Sequence, residues 1–358
     1  MNDTMRSAAG GLLVVGLGGT ELTALERAWL KLVHPAGIIL FRRNIADAAQ
    51  TRALLNDASA LCSSHSLRCV DLEGGTVDRL RDALAPIPSA QTVAKAGLAQ
   101  EHGTLVGRAV KAFGFNTTLA PVLDLALPGS AAVMGTRAAA AEPDQAVNYA
   151  RGFLGGLAGE GVAGCGKHFP GLGGGTQDSH LETPRIARTG KEIWLEDLSP
   201  YRSLRNELPM IMVNHAAYPK TPGGARPASV SPYWITTVLR KRIGYNGIVF
   251  SDDLEMGGIL KYMPIEEAVV AAVRAGMDLM EICHSPELIL RAYEALISEA
   301  ERSKTFAAMI YARAHRTAKL RNRLFAGSLA RALTARQLET LRSRIIRFSA
   351  QVAEAQNA

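Results

Sequence analysis

The sequence has little of what marks secreted, membrane-spanning and nucleic-acid-binding proteins. Its 358 residues include only four cysteines, Cys62, Cys69, Cys165 and Cys283, and none forms a C-x-x-C pair. This scarcity argues against a disulfide-built scaffold and indicates free, buried thiols in a reducing compartment. No segment approaches the roughly 20 apolar residues that a membrane-spanning helix requires. We therefore expect no membrane insertion.

The chain also lacks a concentrated charge. Lysine and arginine exceed aspartate and glutamate by seven, but they are scattered, without a dense run or interleaved aromatic residues. This pattern does not predict a nucleic-acid partner, and the basic balance fits an anionic substrate only loosely. The first apolar run, from Leu12, is short and broken by glycines, unlike the core of a signal peptide. We therefore expect a cytoplasmic protein.

Eight short apolar segments recur along the chain, and amphipathic stretches separate them. They are LLVVG from Leu12, GIILF from Gly37, LRCVD from Leu67, FNTTLAPVLD from Phe115, GVAGCGKHF from Gly161, MIMVNH from Met210, GIVFSDD from Gly247 and DLMEIC from Asp278. Continuous apolar strands are typical of parallel sheets buried on both faces. Eight βα units in series predict an α/β fold, the closed (β/α)8 TIM barrel.

No linker rich in proline, glycine and serine divides the chain. The sequence therefore predicts one catalytic domain over residues 1–330. A basic amphipathic helix is predicted within residues 331–358, and we expect it to pack on the outside of the barrel.

Polar residues collect where the predicted strands end. They are Asp71 and Glu73, Asp124, Lys167 and His168, Asn214 and His215, Asp252 and Asp253, and His284. Because the C-terminal face of a TIM barrel carries the active site of barrel enzymes, these positions predict an active site there.

The segment FSDD, from Phe250 to Asp253, offers a nucleophile. A carboxylate fixed at a strand end can trap an oxocarbenium-like centre as a covalent glycosyl-enzyme. The alternative is helix capping, which Ser251 or Asp253 could perform equally well. The segment alone leaves both interpretations open.

The stretch KHFPGLGGGTQDSH, from Lys167 to His180, combines a glycine run (residues 171–175) with Asp178 and His180. An imidazole can give and take a proton near neutral pH, and a nearby carboxylate can fix its tautomer. Glycines would let such a loop close over a substrate and reopen. Two alternatives remain at this point, a metal site that includes His168 and simple turn formation at Asp178.

These motifs together resemble the single-domain β-N-acetylglucosaminidases of glycoside hydrolase family 3. The resemblance covers nearly the whole chain. It rests on GIILF, D-x-EGG-x-V-x-R-L from Asp71, APVLD, MGTR, KHFPG, DSH from Asp178, PAS from Pro227 and FSDD. KHFPG followed by DSH, with FSDDLEM later, is highly specific to that group.

The resemblance implies a retaining mechanism in which Asp252 is the nucleophile, His180 the general acid/base and Asp178 its partner. It also implies that a group of polar residues holds the N-acetylglucosamine unit. That group comprises Asp71, Arg79, Arg137, Lys167 and His168. No metal and no cofactor are implied. The implied substrate is an N-acetylglucosamine-containing muropeptide from peptidoglycan recycling, and we expect a monomer.

The sequence departs from the usual family pattern at three positions, Thr76, Leu172 and Gly174, where the family more often has polar or charged residues. Leu172 and Gly174 stand at the start of the loop that carries Asp178 and His180, so the departures bear on loop geometry and substrate preference. Two alternatives to hydrolysis remain. A neutral imidazole would admit phosphate as the attacking group, giving a phosphorylase, and a poorly closing loop would leave a sugar-binding barrel without turnover.

Overall fold

Eight parallel strands close into a barrel in the computed structural model, which describes residues 3–175, 183–327 and 331–357. The barrel strands are β1 (Leu13–Gly16), β2 (Gly37–Leu40), β3 (Leu67–Val70), β6 (Thr117–Thr118), β7 (Ala163–Phe169), β8 (Met210–Val213), β9 (Ile248–Asp253) and β10 (Leu279–Ile282). A short antiparallel hairpin follows β3 and comprises β4 (Leu72–Gly74) and β5 (Val77–Asp78). Each barrel strand pairs with the next along the chain, and β10 closes the ring on β1. The predicted (β/α)8 barrel is confirmed.

Helices surround the barrel. They are α1 (Asp3–Gly10), α2 (Ala24–Val33), α3 (Ala48–Ser59), α4 (Ala90–Ala96), α5 (Ala99–Ala112), α6 (Ala131–Met134), α7 (Pro143–Gly159), α8 (Gly190–Leu195), α9 (Ser199–Ser203), α10 (Gly257–Leu260), α11 (Ile265–Ala275), α12 (Pro286–Arg302), α13 (Lys304–Leu324) and α14 (Ala335–Asn357). A π-helix covers Tyr233–Arg242, and short 3-10 turns lie at Arg42–Asn44, Pro128–Ser130, Gly135–Arg137 and Ala228–Val230. None of the helices in the described ranges is long and apolar enough to cross a membrane.

Local sequence explains where these helices begin and end. Thr23 accepts the backbone N–H of Glu26, whose carboxylate accepts that of Thr23, so a capping box starts α2. The amphipathic stretch after Ser89 divides into α4 and α5. The division falls at Gly97, which has a φ of +69° and so ends α4 in the left-handed conformation that favours glycine.

The barrel strands are mainly apolar because their side chains face two different cores. One core fills the barrel interior and includes Val14, Ile39, Leu67, Cys69, Leu119, Cys165, Met210, Phe250 and Leu279. The other lies between the barrel and the surrounding helices. Burial of each large apolar side chain contributes about 1.5–3 kcal/mol. The four cysteines are buried and free, as the sequence predicts.

The C-terminal helix α14 packs against α4 and α5. Its buried side chains are Leu341, Ile345, Phe348 and Val352. Their spacing of four, three and four residues places them on one face of the helix. This face lies on the outer helical layer beside the barrel.

Candidate active site

A cavity of about 520 Å³ opens at the C-terminal face of the barrel. Six of the predicted site residues line it. They are Asp71, Arg79, Arg137, Lys167, His168 and Asp252. The other two predicted residues, Asp178 and His180, lie outside the described residues. The cavity is large enough for a sugar unit, since small-molecule sites begin at about 300 Å³.

An irregularity in β7 turns two consecutive side chains into this cavity. Residues 166–169 of β7 lie opposite residues 211–213 of β8, so β7 contains one extra residue. Successive side chains of a regular strand point to opposite faces, and a bulge relaxes this alternation. Lys167 and His168 therefore both line the cavity.

A similar irregularity lies in β9. Residues 250–253 lie opposite residues 279–281 of β10, and the Oγ of Ser251 accepts the backbone N–H of Glu281 at 3.0 Å. Asp252 follows Ser251 and lines the cavity, and its Oδ1 accepts the backbone N–H of Asp253 at 3.0 Å. The extra residue thus lets a strand-end carboxylate face the cavity.

His215 fixes the C-terminal end of β9 through hydrogen bonds. Its Nδ1 lies 2.7 Å from Ser229 Oγ, and its Nε2 lies 2.9 Å from the carbonyl oxygen of Asp253. Because a carbonyl can only accept, Nε2 carries the proton and Nδ1 accepts the hydroxyl of Ser229. Burial lowers the pKa of His215, so the ring stays neutral in this role.

Two acidic side chains surround the ammonium group of Lys167. Its Nζ lies 2.8 Å from Asp71 Oδ1 and 2.7 Å from Glu73 Oε1. Arg79 lies on the other side of Asp71, with Nη2 3.4 Å from Oδ2. Despite burial, which opposes ionisation, Lys167 and Arg79 lower the pKa of Asp71. Asp71 is therefore a charged acceptor and Lys167 a charged donor at neutral pH.

The tautomer of His168 follows from its neighbours. Arg137 donates from Nε and Nη2 to the two oxygens of Glu73, both at 2.8 Å, and its Nη2 lies 3.3 Å from His168 Nε2. An arginine can only donate, so Nε2 accepts and Nδ1 carries the proton. The Nδ1–H group donates a hydrogen bond to Oδ2 of Asp124 at 2.6 Å. These contacts fix the orientation of the His168 ring in the cavity wall.

The glycine run is closely packed in the described part, from Gly171 to Gly175. A Cβ on Gly173 would lie 2.6 Å from the carbonyl oxygen of Leu125, and a Cβ on Gly174 would lie 2.6 Å from Arg188 Cδ. Larger residues would collide with these neighbours. Gly173 is thus required for close approach to the backbone. This is a reason for the glycine other than the predicted freedom to swing, which remains a prediction.

Leu172 within this run is buried and lines the cavity, and its backbone N–H donates to Asp124 Oδ1 at 2.6 Å. One carboxylate therefore fixes both His168 and the start of the loop. Leu172 also belongs to the apolar cluster between barrel and helices.

Sequence reasoning named Glu73 and His284 only as strand-end residues and missed Phe41 and Glu281. Glu281 is buried at the cavity wall, and burial raises its pKa well above the ordinary value. A charged residue inside the apolar segment DLMEIC was the available signal. The rings of Phe41 and His284 stack on the cavity rim, with their centres 5.3 Å apart.

A larger cavity of about 680 Å³ lies at the opposite end of the barrel, beside residues 63–66, Arg68 and Asn116. Ser66 and Asn116 immediately precede β3 and β6, so this cavity lies at the N-terminal face. The active sites of TIM-barrel enzymes lie at the C-terminal face of the barrel. We therefore assign the active site to the smaller cavity.

Comparison with known proteins agrees with this assignment. The family described as Glycosyl hydrolase family 3 N terminal domain matches residues 4–320. A protein named Beta-hexosaminidase from Alkalilimnicola ehrlichii is 38% identical over 289 residues, which are 78% of this chain and 82% of that protein. A protein of the same name from Methylococcus capsulatus is 39% identical, and the match covers 78% of this chain and 85% of that protein.

Solved structures are similar as well. A glycoside hydrolase family 3 β-N-acetylglucosaminidase from Paenibacillus sp. str. FPU-7 has a TM-score of 0.85 and 30% identity, over 95% of this chain and 68% of that chain. NagZ from Neisseria gonorrhoeae, solved in complex with N-trifluoroacetyl-D-glucosamine, has a TM-score of 0.71 and 28% identity, over 86% and 98% of the two chains.

The barrel and its acidic and cationic cavity therefore define a glycoside hydrolase. The chain belongs to glycoside hydrolase family 3, since the family pattern and the curated relatives both cover most of its length. The enzyme class that the sequence predicts, a glycoside hydrolase of the β-N-acetylhexosaminidase type, is confirmed.

Proposed function

We propose that the protein is a retaining exo-β-N-acetylglucosaminidase that removes terminal β-linked N-acetylglucosamine from peptidoglycan fragments. The main support is the position of Asp252 in one cavity with Asp71, Lys167 and His168. Asp71 can accept sugar hydroxyls while Lys167 donates to them, so the sugar would be gripped by oppositely charged groups.

In the proposed mechanism Asp252 attacks the anomeric carbon, and the glycosidic bond breaks as His180 protonates the leaving oxygen. Water then attacks the glycosyl-enzyme while His180 takes back a proton, and Asp252 is released. Asp178 orients the imidazole of His180. The roles of these three residues rest on the family resemblance.

The proposed substrate is a muropeptide in the cytoplasm, handled by a monomeric enzyme without a cofactor. The curated relatives are named β-hexosaminidases. Two cationic groups lie at the rim near Phe41, since the guanidinium groups of Arg43 and Arg79 lie 4.8 and 5.7 Å from the centre of its ring. They would attract the acidic part of such a fragment.

The test is turnover of p-nitrophenyl N-acetyl-β-D-glucosaminide beside the corresponding glucoside, with and without phosphate. We expect the N-acetylglucosaminide to be preferred, and Asp252→Ala to abolish release. Asp57→Ala, which removes an exposed carboxylate, is the control and should turn over normally. Unchanged turnover in Asp252→Ala would refute the mechanism.

The same assay tests the two alternatives. Formation of the sugar 1-phosphate in phosphate buffer would establish a phosphorylase, and binding of N-acetylglucosamine without turnover would establish a sugar-binding barrel. A comparison of a disaccharide muropeptide with chitobiose would test the aglycone. We expect a higher kcat/KM for the muropeptide.

A further inference from the structure

A second set of reactive side chains lies on the cavity wall beside Asp252. The potential ligand atoms of Asp253, Cys283 and His284 all lie within 4.8 Å of one another. They supply an oxygen, a sulfur and a nitrogen, and all three residues line the cavity. The proposed hydrolysis uses none of them.

The spacing of these groups is that of metal ligands. His284 Nδ1 and Asp253 Oδ2 are 3.6 Å apart, which is too long for a good hydrogen bond. Ligands on neighbouring corners of a tetrahedral zinc site are about 3.3–3.6 Å apart, given bond lengths of about 2.0–2.3 Å. Glu281 lies behind this set, where its Oε1 accepts the thiol S–H of Cys283 at 3.3 Å.

Glu255 fixes the backbone that carries two of these ligands. Its carboxylate accepts the backbone N–H groups of Cys283, His284 and Ser285, the first at 3.0 Å and the last at 2.7 Å. It also lies 3.0 Å from His284 Nδ1. If the His284 imidazole binds a metal instead, the carboxylate of Glu255 still accepts hydrogen bonds from the backbone N–H groups of Cys283, His284 and Ser285. Such support around ligands is what pre-organises a metal site.

The local charge also favours a cation. The carboxylates of Asp252, Asp253 and Glu281 line this part of the cavity. The guanidinium group of Arg43 lies near Asp253 and Glu255. Arg43 donates to the carbonyl oxygen of Cys283 at 2.7 Å, and the Cys283 thiol exchanges its contact with Glu281 for the metal on binding.

We propose that Asp253, Cys283 and His284 form a binding site for a zinc-class divalent metal ion beside the nucleophile position. The mixture of sulfur, nitrogen and oxygen ligands selects zinc over magnesium or calcium. Binding forms a metal–sulfur bond, and the thiol proton passes to solvent. The ion occupies the cavity wall next to Asp252, and we expect it to inhibit turnover.

The test uses the metal-free full-length protein, titrated with Co²⁺ as a spectroscopic probe and with Zn²⁺ in competition. We expect one Co²⁺ per chain, with a near-ultraviolet thiolate-to-metal absorption. Cys283→Ala should abolish this absorption, and His284→Ala should weaken binding at least about tenfold. The controls are Cys62→Ala and His65→Ala, which should titrate like the unaltered protein.

His284→Ala decides the matter if Cys283→Ala fails to fold, because the His284 side chain is 56% exposed. Unchanged titration in His284→Ala would overturn the proposal. So would loss of binding in His180→Ala with binding retained in His284→Ala, since the metal would then belong to the loop histidine.

Inhibition is a separate readout that rests on the proposed function. We expect Zn²⁺ to inhibit release of p-nitrophenol from the N-acetylglucosaminide, and His284→Ala to need about tenfold more Zn²⁺ for half inhibition. If no substrate is turned over, the proposed function fails, while the Co²⁺ titration still tests the metal site.

Discussion

The carboxylate of Asp124 accepts the Nδ1–H of His168 at 2.6 Å, and this contact fixes the orientation of a predicted substrate-binding ring. The same oxygen accepts the backbone N–H of His168 at 3.1 Å. The other oxygen accepts the backbone N–H of Leu172. One buried side chain thus ties the wall of the cavity to the start of the loop that follows β7.

Asp124→Asn should raise KM more than it lowers kcat. An amide has only one accepting oxygen, so its NH₂ group would face either the donors of His168 or the N–H of Leu172. We expect kcat/KM on the N-acetylglucosaminide to fall up to about 100-fold, as for a misplacement of about 1 Å.

The measurement is steady-state kinetics, with Asp57→Asn as the exposed control. A normal KM in Asp124→Asn would show that the carboxylate does not position His168 for binding. An equal loss in the control would point to a general effect of the lost charge.

The contact of Glu73 with Lys167 and Arg137 gives a prediction about stability. Glu73→Gln removes the charge that neutralises two buried cations. Breaking a buried ion pair in this way costs about 3–5 kcal/mol. We expect the free energy of unfolding, measured with urea at pH 7, to fall by about that amount.

Glu287→Gln is the matched control, because Glu287 pairs with Arg291 at the surface and its side chain is 77% exposed. Exposed pairs contribute about 0–1 kcal/mol. Similar losses in the two variants would contradict the assigned importance of the buried network.

Much of the fold could be predicted because buried parallel strands appear in the sequence as continuous apolar runs. The ends of those runs also placed Asp71, Lys167 and Asp252 at one face, since all strands of a barrel point the same way. Lys167 and His168 are consecutive, and a regular strand would separate them. Their shared direction depends on a bulge, which no sequence signal marked.

The pairing of Glu73 could not be predicted for a related reason. Glu73 lies on β4, and the hairpin with β5 turns it back toward Lys167, 94 positions further along the chain. Glu281 lies inside a strand whose other residues face apolar cores, so its direction depends on register. The glycine run illustrates a third limit. Its close packing involves Leu125 and Arg188, neighbours that only the folded chain brings together.

Gly173→Ala should disturb the loop after β7. The added Cβ would lie 2.6 Å from the backbone oxygen of Leu125, so the backbone itself must move. We expect a lower melting temperature and a higher KM. The control is Gly155→Ala within α7, where no atom lies within 4 Å of the added Cβ.

Alanine is the better helix former by about 0.5–1 kcal/mol, so Gly155→Ala should stabilise the protein slightly. If Gly173→Ala behaved like Gly155→Ala, the close approach to Leu125 would not constrain the loop. The comparison separates packing at Gly173 from the general effect of removing a glycine.

His102 provides a prediction about pH. The ring is buried between α5, α7 and α14, with Tyr149 Oη 3.0 Å from Nδ1 and Phe348 stacked at 6.0 Å. Burial lowers its pKa to about 3 from the ordinary 6.5. Between these values the unfolded chain binds more protons than the folded protein, so this residue makes stability fall as pH falls.

His102→Gln removes the titrating group and keeps a side chain that can bond to Tyr149. The difference in unfolding free energy between the unaltered protein and the variant should therefore decrease by about 1.4 kcal/mol per pH unit from about pH 6 to pH 4. Urea unfolding at several pH values measures this difference, and the other titrating groups cancel because both proteins contain them. His65→Gln, at the surface, is the control. Parallel pH curves for the unaltered protein and His102→Gln would show that His102 is not held neutral in the folded state.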